Sequence, residues 1–338
     1  MIVRSAKKDI YLPDPSTGRL ERSDVKKYFS SFGLGLFFFS LVTSLVVEIV
    51  AVIVYFINPD LLYNSLFSNI LSVVAIYGAA FPVLYIFTRR LPFVNPEKRR
   101  MGAKDFVGSI MMMLTATIGG NIISNLLASV LSAFKGGEAL ENPVNDMIAA
   151  ESFWIGLVFT AILAPVLEEL VFRKYICGKL LPLGEGYAVV ISALVFGLIH
   201  GNIFQCFYCI ANGLLWGYVY VKTGKIRYTI AGHMLMNFFC GVLPSFLLSF
   251  VDEDALASGL MSDILPQLPA YIGILAIELV QYGGAIVGLV LLIKHRCRFT
   301  VERGTIPPPA EKKVSLVMAN VGMILAVCII GLNILASI

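Results

Sequence analysis

Two adjacent carboxylates, Glu168 and Glu169, lie with Arg173 inside an apolar segment of the chain. Each charge at membrane depth costs about 2.5–3.5 kcal/mol on insertion scales, so such groups need partners or a function. Neighbouring residues of an α-helix project about 100° apart, so the two carboxylates cannot share one task. Glu169 and Arg173 have the i,i+4 spacing and order that favour an ion pair, which can brace the helix. Glu168 is left to point toward the bundle interior, where a carboxylate can take up and release protons.

Two histidine motifs follow on other apolar segments. The pairs Phe196/His200 and His233/Asn237 both have i,i+4 spacing, so each pair shares one face of a helix. The sequence contains three histidines, and we expect the third, His295, to be solvated in a basic loop. For one intramembrane histidine alone, an interhelical hydrogen bond worth about 0.6 kcal/mol would be a sufficient explanation. The combination with an intramembrane carboxylate and a carboxamide favours a functional site.

The elements that must position these residues are transmembrane helices. Of the 338 residues 58% are hydrophobic and only 14% are charged, whereas soluble domains have about 25% charged residues. The fold class is therefore all-α, a polytopic transmembrane helical bundle. A span needs about 20 apolar residues, and this length rule predicts about nine helices. They fall near 31–57, 67–88, 105–134, 152–180, 187–202, 204–221, 227–250, 269–293 and 314–336.

The loops alternate in charge along the whole chain. Every second loop is basic, namely 89–104, 173–186, 222–227 and 294–313. The loops between them have few basic residues: 57–66 and 251–268 contain no Lys or Arg, and Lys135 is the single basic residue of 135–151. Because basic loops stay in the cytoplasm, this pattern predicts a cytoplasmic N-terminus. The predicted organisation is a basic cytoplasmic tail (1–30), N-terminal transmembrane helices (31–135), a catalytic core (152–250), an outer loop with the eighth helix (251–293), a cytoplasmic linker (294–313) and the last helix (314–338).

The depth of the polar groups can be estimated from the helix rise of 1.5 Å per residue. Glu168, His200 and His233 each lie on the order of 10–20 Å from the cytoplasmic ends of their predicted helices. They can therefore meet in one layer, in the cytoplasmic half of the membrane.

The three motifs Glu-Glu-x-x-x-Arg, Phe-x-x-x-His and His-x-x-x-Asn, in this order on successive membrane helices, resemble those of the CAAX-protease and bacteriocin-processing family of intramembrane proteases. The resemblance covers about residues 152–240 and includes Gly213-x-x-x-Gly217 and Thr223-Gly224. The chain departs from the family pattern at Lys174, where many members carry glycine. The resemblance implies peptide-bond hydrolysis within the membrane.

The residue types suit this chemistry. Glu168 can act as general base on a water, and His200 can hold that water and relay its proton. His233 and Asn237 can donate hydrogen bonds to the developing oxyanion. We expect supporting roles for Glu169, Arg173 and Phe196, the last packing beneath the site.

A zinc site is the alternative to this mechanism. Glu168, His200 and His233 would form a His₂Glu ligand set with one open position. We favour a site without metal or other cofactor, because H-E-x-x-H is absent and Asn237 suits an oxyanion better than a soft metal. Cys206 and Cys209 form a C-x-x-C, but without a second pair we interpret them as packing residues.

Two other functions fit parts of the pattern. Glu48, Glu168 and Glu278 could carry protons in a membrane transporter, although no inverted repeat is evident. The chain could also be a non-catalytic membrane protein, such as one that provides self-immunity to a bacteriocin. The predicted partners are membrane lipid and a membrane-associated protein or peptide substrate, either lipidated or not, and no nucleic acid is expected. The predicted location is the bacterial plasma membrane, as a multi-pass protein.

Overall fold

The structure is a computed structural model, and it describes residues 11, 14–143, 151–309, 311 and 313–338. The secondary structure of these residues is helical, apart from one isolated antiparallel bridge between Gly184 and Arg303. The helices are α1 (Arg22–Ile57), α2 (Ser65–Thr88), α3 (Ala103–Phe134), α4 (Phe153–Leu183), α5 (Glu185–Leu198), α6 (Ile203–Thr223), α7 (Ile226–Leu248), α8 (Glu253–Ser258), α9 (Met261–Arg298), α10 (Lys313–Met318) and α11 (Val321–Ala336).

Six of these helices, α1, α2, α3, α4, α7 and α9, are long and apolar enough to cross a membrane. Each of the nine predicted apolar segments falls on helical structure, so the polytopic helical bundle is confirmed. Large apolar side chains cover the outside, for example Phe56 at 81% and Leu279 at 66% exposure. Such a surface is stable only in lipid or against another protein.

Several helix boundaries differ from the prediction: α5 ends at Leu198 rather than 202, α9 spans Met261–Arg298 rather than 269–293, and two further differences have a clear physical cause. Helix α1 begins at Arg22, not near 31, because Val25, Tyr28 and Phe29 place an apolar face against the core within the predicted polar tail. Residues 1–10 of that tail lie outside the described residues. The predicted last helix 314–336 is broken at Asn320, whose side chain accepts a hydrogen bond from Met323 N and caps α11.

Glycines bring the central helices into close contact. A Cβ atom on Gly120 of α3 would lie 2.4 Å from Tyr208 Cα on α6. A Cβ on Gly213 of α6 would lie 3.0 Å from Ala193 Cα on α5. Small residues at such positions let membrane helices approach closely, and they hold α3, α5 and α6 together around the site.

The basic connections meet on one side of the bundle. Backbone hydrogen bonds join them to one another and to the N-terminal segment: Val94 N to Gly178 O at 2.9 Å, Arg99 N to Thr223 O at 2.7 Å, Glu185 N to Glu302 O at 3.1 Å and Leu20 N to Pro307 O at 3.0 Å. On the other side Asn69 Nδ2 donates to Glu151 Oε1 at 2.7 Å, and Lys135 Nζ donates to Ile338 O. The helices thus alternate in direction as the loop charges require, while the orientation in the membrane stays a prediction.

Candidate active site

Helix α4 carries Glu168 and Glu169 at the junction of an α-helical and a π-helical turn. The α-helical turn is Ala164–Glu168, and π-helical turns precede and follow it. Pro165 lies at the start of the α-helical turn and has no N–H to donate to the preceding turn. π-Helical turns within an α-helix are frequent at functional sites.

Glu169 and Arg173 form a fully buried ion pair. Arg173 Nε lies 3.3 Å from Glu169 Oε2, and both side chains have zero exposure. The two groups are close but not aligned for a hydrogen bond, and Arg173 Nε and Nη2 form no other hydrogen bond with the described residues. The guanidinium carbon lies 4.9 Å from the centre of the Phe196 ring, so an aromatic face supplies part of its environment. Glu168 is thus the carboxylate of this helix that forms no ion pair with Arg173.

His233 lies between the two carboxylates. Its Nδ1 is 3.2 Å from Glu169 Oε1, and its Nε2 is 3.6 Å from Glu168 Oε2. Because an ionised carboxylate only accepts, the Nδ1–H group donates to Glu169, which fixes the ring orientation. The Nε2 edge is thereby directed toward Glu168. The second distance is too long for a direct hydrogen bond.

Aromatic rings hold the buried imidazole in place. The Trp216 indole stacks on His233, with ring centres 4.0 Å apart and planes inclined by 23°. Phe196 is 1% exposed and contacts Phe172, His200 and His233 with its edges and faces, at centre distances of 5.0–5.8 Å. Phe196 therefore lies beneath the polar groups and separates them from the bundle core.

His200 lies in the turn between α5 and α6, not inside a helix. Helix α5 ends at Leu198 because Gly201 adopts φ +70°, and Asn202 then caps α6 by accepting from Gln205 N at 2.8 Å. His200 still bonds its own helix through Nδ1, which is 2.7 Å from Phe196 O. A carbonyl only accepts, so Nδ1 carries the proton and the neutral ring has its lone pair on Nε2. Cys209 Sγ lies 3.8 Å from that nitrogen.

The Asn237 carboxamide is anchored to α4. Its Nδ2 donates to Thr160 O at 2.9 Å, in the π-helical turns that precede Glu168. The hydroxyl of Thr160 donates in turn to Glu151 Oε2 at 3.2 Å. One N–H of the amide is used in this bond, and the other remains available to a ligand.

A cavity of about 250 Å³ lies beside Glu168 and His200 and opens to the surface of the bundle. It is large enough for several water molecules. Helices α1, α2, α4 and α11 and the turn after α5 supply its lining, which is Phe39, Ser40, Thr43, Ser44, Ile76, Tyr77, Glu168, Phe172, Ile199, His200 and Asn333. The structure therefore brings Glu168 and His200 to one cavity and His233 behind Glu168, while Asn237 does not line the cavity.

The remaining predicted polar residues lie elsewhere. Glu48 and Glu278 are exposed on α1 and α9 and do not line this cavity. Cys206 and Cys209 are buried free cysteines. In the described ranges, no three His, Cys, Asp or Glu side chains are grouped closely enough to hold a metal ion, and this includes Glu168, His200 and His233. The zinc alternative thus has no assembled ligand set in this conformation.

Sequence reasoning missed Trp216, Tyr77 and Asn333. Trp216 is one of two tryptophans and lies between Gly213 and Gly217, which could have marked it as facing the site. Asn333 lies in an apolar run, where a carboxamide usually bonds a neighbouring helix, and it does donate to Ser40 Oγ at 3.0 Å. The sequence does not indicate that Tyr77 lines the cavity, because the direction of this side chain depends on how α2 packs against the other helices.

Comparison with known proteins supports the family resemblance. Residues 150–239 match the family model described as type II CAAX prenyl endopeptidase Rce1-like. YdiL of Bacillus subtilis (strain 168), whose name gives it an inferred membrane-peptidase activity, is 26% identical over 183 residues, which are 53% of this chain and 74% of YdiL. The membrane-embedded CAAX protease MroQ of Staphylococcus aureus (strain USA300) is 29% identical over 158 residues, 44% of this chain and 64% of MroQ. No solved structure matches the chain with statistical significance.

These matches confirm the resemblance to CAAX proteases and support a membrane-embedded peptidase. The matched region holds Glu168, Glu169, Arg173, His200 and His233, and also Phe196 and Asn237. The bacterial relatives and the six apolar helices agree with a multi-pass protein of the cell membrane.

Proposed function

We propose that this protein is an intramembrane endopeptidase in which Glu168 activates a water molecule. The observation that carries the proposal is the division between the two glutamates. Glu169 is buried against Arg173 and His233, whereas the Glu168 carboxylate is 20% exposed and lines a cavity that can hold water. A carboxylate with access to water and no cation on its own helix is free to act as general base.

His200 positions the attacking water. Its Nδ1–H is held by Phe196 O, so Nε2 presents a lone pair, and the water would donate a hydrogen bond to that nitrogen in place of the weak Cys209 S–H donor. Glu168 takes the proton of that water while the hydroxide attacks the scissile carbonyl carbon. The same carboxyl group then protonates the leaving amine, which breaks the C–N bond and returns Glu168 to its starting state.

The tetrahedral intermediate needs donors for its oxyanion. Because His233 gives its Nδ1–H to Glu169, the ring can donate from Nε2 only as the imidazolium, for which Glu168 and Glu169 would be the counter-charges. Asn237 lies outside the cavity lining, so its second N–H must reach the oxyanion after the substrate binds. Removal of one such donor typically slows catalysis by about 10²–10³-fold. Phe196 and Trp216 keep the imidazole in place, and Glu169, held by Arg173, accepts the hydrogen bond from its Nδ1–H.

The proposed substrate is a membrane-associated protein or peptide, and the family description, that of a prenyl endopeptidase, favours a lipidated one. Membrane lipid is the other partner, because the exposed apolar side chains of α1, α2 and α9 require it. Nothing in the site requires a nucleic acid or an organic cofactor.

The experiment compares membrane peptides, by mass spectrometry, from cells that produce the wild-type chain, Glu168→Gln or Glu278→Gln. Glu278 is an exposed intramembrane carboxylate away from the cavity and serves as the matched control. We expect cleavage products with the wild type and with Glu278→Gln, and their loss with Glu168→Gln. Equal products from all three strains would contradict the proposal, and full biological activity of Glu168→Gln would favour a non-catalytic role such as immunity.

The metal-free mechanism has its own test. Elemental analysis of the purified protein is expected to find no stoichiometric zinc, and chelators are expected to leave cleavage intact. Zinc at one atom per chain, lost together with activity on chelation and restored by zinc, would assign Glu168, His200 and His233 as ligands instead.

A further inference from the structure

The cavity beside Glu168 has a wall that the family resemblance does not cover. Ser40, Thr43 and Ser44 come from α1, Tyr77 from α2 and Asn333 from α11. All of them lie outside the region that matches the family model. Helices α1, α2 and α11 therefore line the cavity beside the carboxylate from outside that region, so they can determine what the cavity accepts.

This wall has unused hydrogen-bonding groups. Asn333 Nδ2 donates to Ser40 Oγ at 3.0 Å, and Thr43 Oγ1 donates to Phe39 O at 2.9 Å. The hydroxyls of Ser44 and Tyr77 and the Oδ1 atom of Asn333 form no such bond within the described residues. Polar groups in a membrane-embedded cavity are costly unless a ligand or water satisfies them.

The cavity also has a defined charge. Among the described residues that line it, none is Lys or Arg, and Glu168 is the one carboxylate. A carboxylate or phosphate of a ligand would meet this glutamate without any cation, so the cavity disfavours anionic groups. Hydroxyls and a carboxamide instead match the N–H and C=O groups of a peptide.

A peptide that is cut inside a membrane has a specific need for such groups. Its helix must open around the scissile bond, and each backbone N–H and C=O that is freed in hydrocarbon needs a new partner. The wall lines the same cavity as Glu168 and His200, so a strand opened next to the reacting carbonyl would have these groups within the same space.

We propose that Ser44, Tyr77 and Asn333 form a subsite for the main chain of an uncharged, unwound internal segment of the substrate. The proposal rests on the proposed peptidase function and deepens it by giving the substrate class. The substrate is expected to be cut within a stretch of neutral residues, rather than next to a free α-carboxylate.

The test uses the full chain in proteoliposomes and a set of palmitoylated, internally quenched peptides with randomised neutral residues and an amidated C-terminus. A second set carries a free carboxylate directly after the randomised residues, and a third carries Asp or Lys among them. Ser44→Ala and Tyr77→Phe each remove one hydroxyl that makes no bond within the described chain, so folding should be unaffected. Ser129→Ala on α3 and Tyr282→Phe on α9, both exposed and away from the cavity, are the matched controls.

We expect the wild type to cleave amidated neutral peptides in preference to the other two sets. Ser44→Ala and Tyr77→Phe are each expected to raise KM about tenfold, which is the order of one net hydrogen bond, with kcat largely unchanged. The control variants are expected to match the wild type. Unchanged KM in both cavity variants, or preferential cleavage of the peptides with a free carboxylate, would overturn the subsite.

Failure of the subsite and failure of the peptidase function give different results. If Glu168→Gln abolishes cleavage while Ser44→Ala and Tyr77→Phe behave as wild type, the function stands and the subsite is wrong. If wild type and Glu168→Gln give the same signal on every peptide set, the peptidase function fails and the subsite fails with it.

Discussion

The two neighbouring glutamates show how one residue step separates a structural from a chemical role. Glu169 is enclosed by Arg173 and His233, and Glu168 faces a cavity. Because helical neighbours point in different directions, this division could be predicted from the sequence, as could the i,i+4 ion pair. The stack of Trp216 on His233 could not, because it joins two helices whose rotation depends on packing along their whole length.

The buried ion pair predicts a large and non-additive effect on stability. Arg173→Met leaves the Glu169 carboxylate buried without its cation, and we expect a loss of about 3–5 kcal/mol in the free energy of unfolding. Glu169→Gln combined with Arg173→Met removes both charges, and this double variant should recover most of that loss. Reversible unfolding in mixed detergent micelles measures these values.

This account of the pair would be contradicted if the double variant lost as much free energy of unfolding as the two single variants together. The control is the exposed pair of Arg99 and Glu97, 2.8 Å apart, where Arg99→Met should leave the free energy of unfolding at the wild-type value.

At the scale of elements, the site depends on how closely α3 and α6 approach. Gly120 lies against the backbone of Tyr208, the residue before Cys209, whose sulfur contacts His200. The position of the His200 turn is thus tied to a glycine on another helix.

Two adjacent glycines of α3 give a matched test of this contact. A Cβ on Gly120 would lie 2.4 Å from Tyr208 Cα, while a Cβ on Gly119 would meet nothing within 4 Å. We expect Gly120→Ala to destabilise the protein by about 1–3 kcal/mol and to slow cleavage. Gly119→Ala should leave cleavage unchanged and stabilise the helix by up to about 1 kcal/mol. Thermal unfolding measures the change in stability, and cleavage rates measure the change in activity. Equal stability and equal cleavage in Gly120→Ala and Gly119→Ala would show that α3 and α6 are not packed as described.

Helices could be predicted well from apolar runs, but their ends could not. The sequence does separate the fifth and sixth helices near Gly201, where the structure has a positive φ angle. The break at Asn320 depends on a side-chain cap, and it lies inside a run that is apolar enough to continue. The early start of α1 has the opposite cause, because its polar residues alternate with Val25, Tyr28 and Phe29, which pack on the core. The hydrophobicity of a segment can be read from its sequence, but these helix ends depend on backbone geometry and on tertiary contacts.

At the scale of the whole molecule, the connections divide into two groups on opposite sides of the bundle. The basic loops bond to one another, and the loops with few basic residues lie on the other side. This arrangement agrees with the alternation of charge in the sequence, which places the basic side in the cytoplasm.

The orientation can be measured with a membrane-impermeant maleimide on intact cells. Cys297 is exposed in the basic linker and should be labelled only after the membrane is opened. Asp60→Cys, made together with Cys297→Ser, places a thiol in the loop between α1 and α2 and should be labelled in intact cells. If Cys297 were labelled in intact cells and the thiol at position 60 only after the membrane is opened, the topology would be inverted. The site would then lie in the outer half of the membrane.

The cavity is a property of the whole molecule, and sequence motifs alone could not predict it. The motifs indicate Glu168 and His200, but the rest of the wall comes from α1, α2 and α11, which are distant in sequence and lie outside the residues that match the family model. The convergence of three helices on one layer could be estimated from helix rise. Which side chains share a cavity depended on helix rotation, and Asn237 turned toward Thr160 instead.

The most direct test of the account is the cleavage rate of one identified substrate peptide by purified Glu168→Gln and Glu278→Gln in proteoliposomes. If Glu168 is the general base at the water-accessible cavity, its substitution should reduce kcat by about 10²–10⁴-fold or more while Glu278→Gln cleaves at the wild-type rate. Thermal unfolding equal to the wild type for both variants would show that the bundle is intact. A correctly folded Glu168→Gln that cleaves as fast as Glu278→Gln would contradict the central claim.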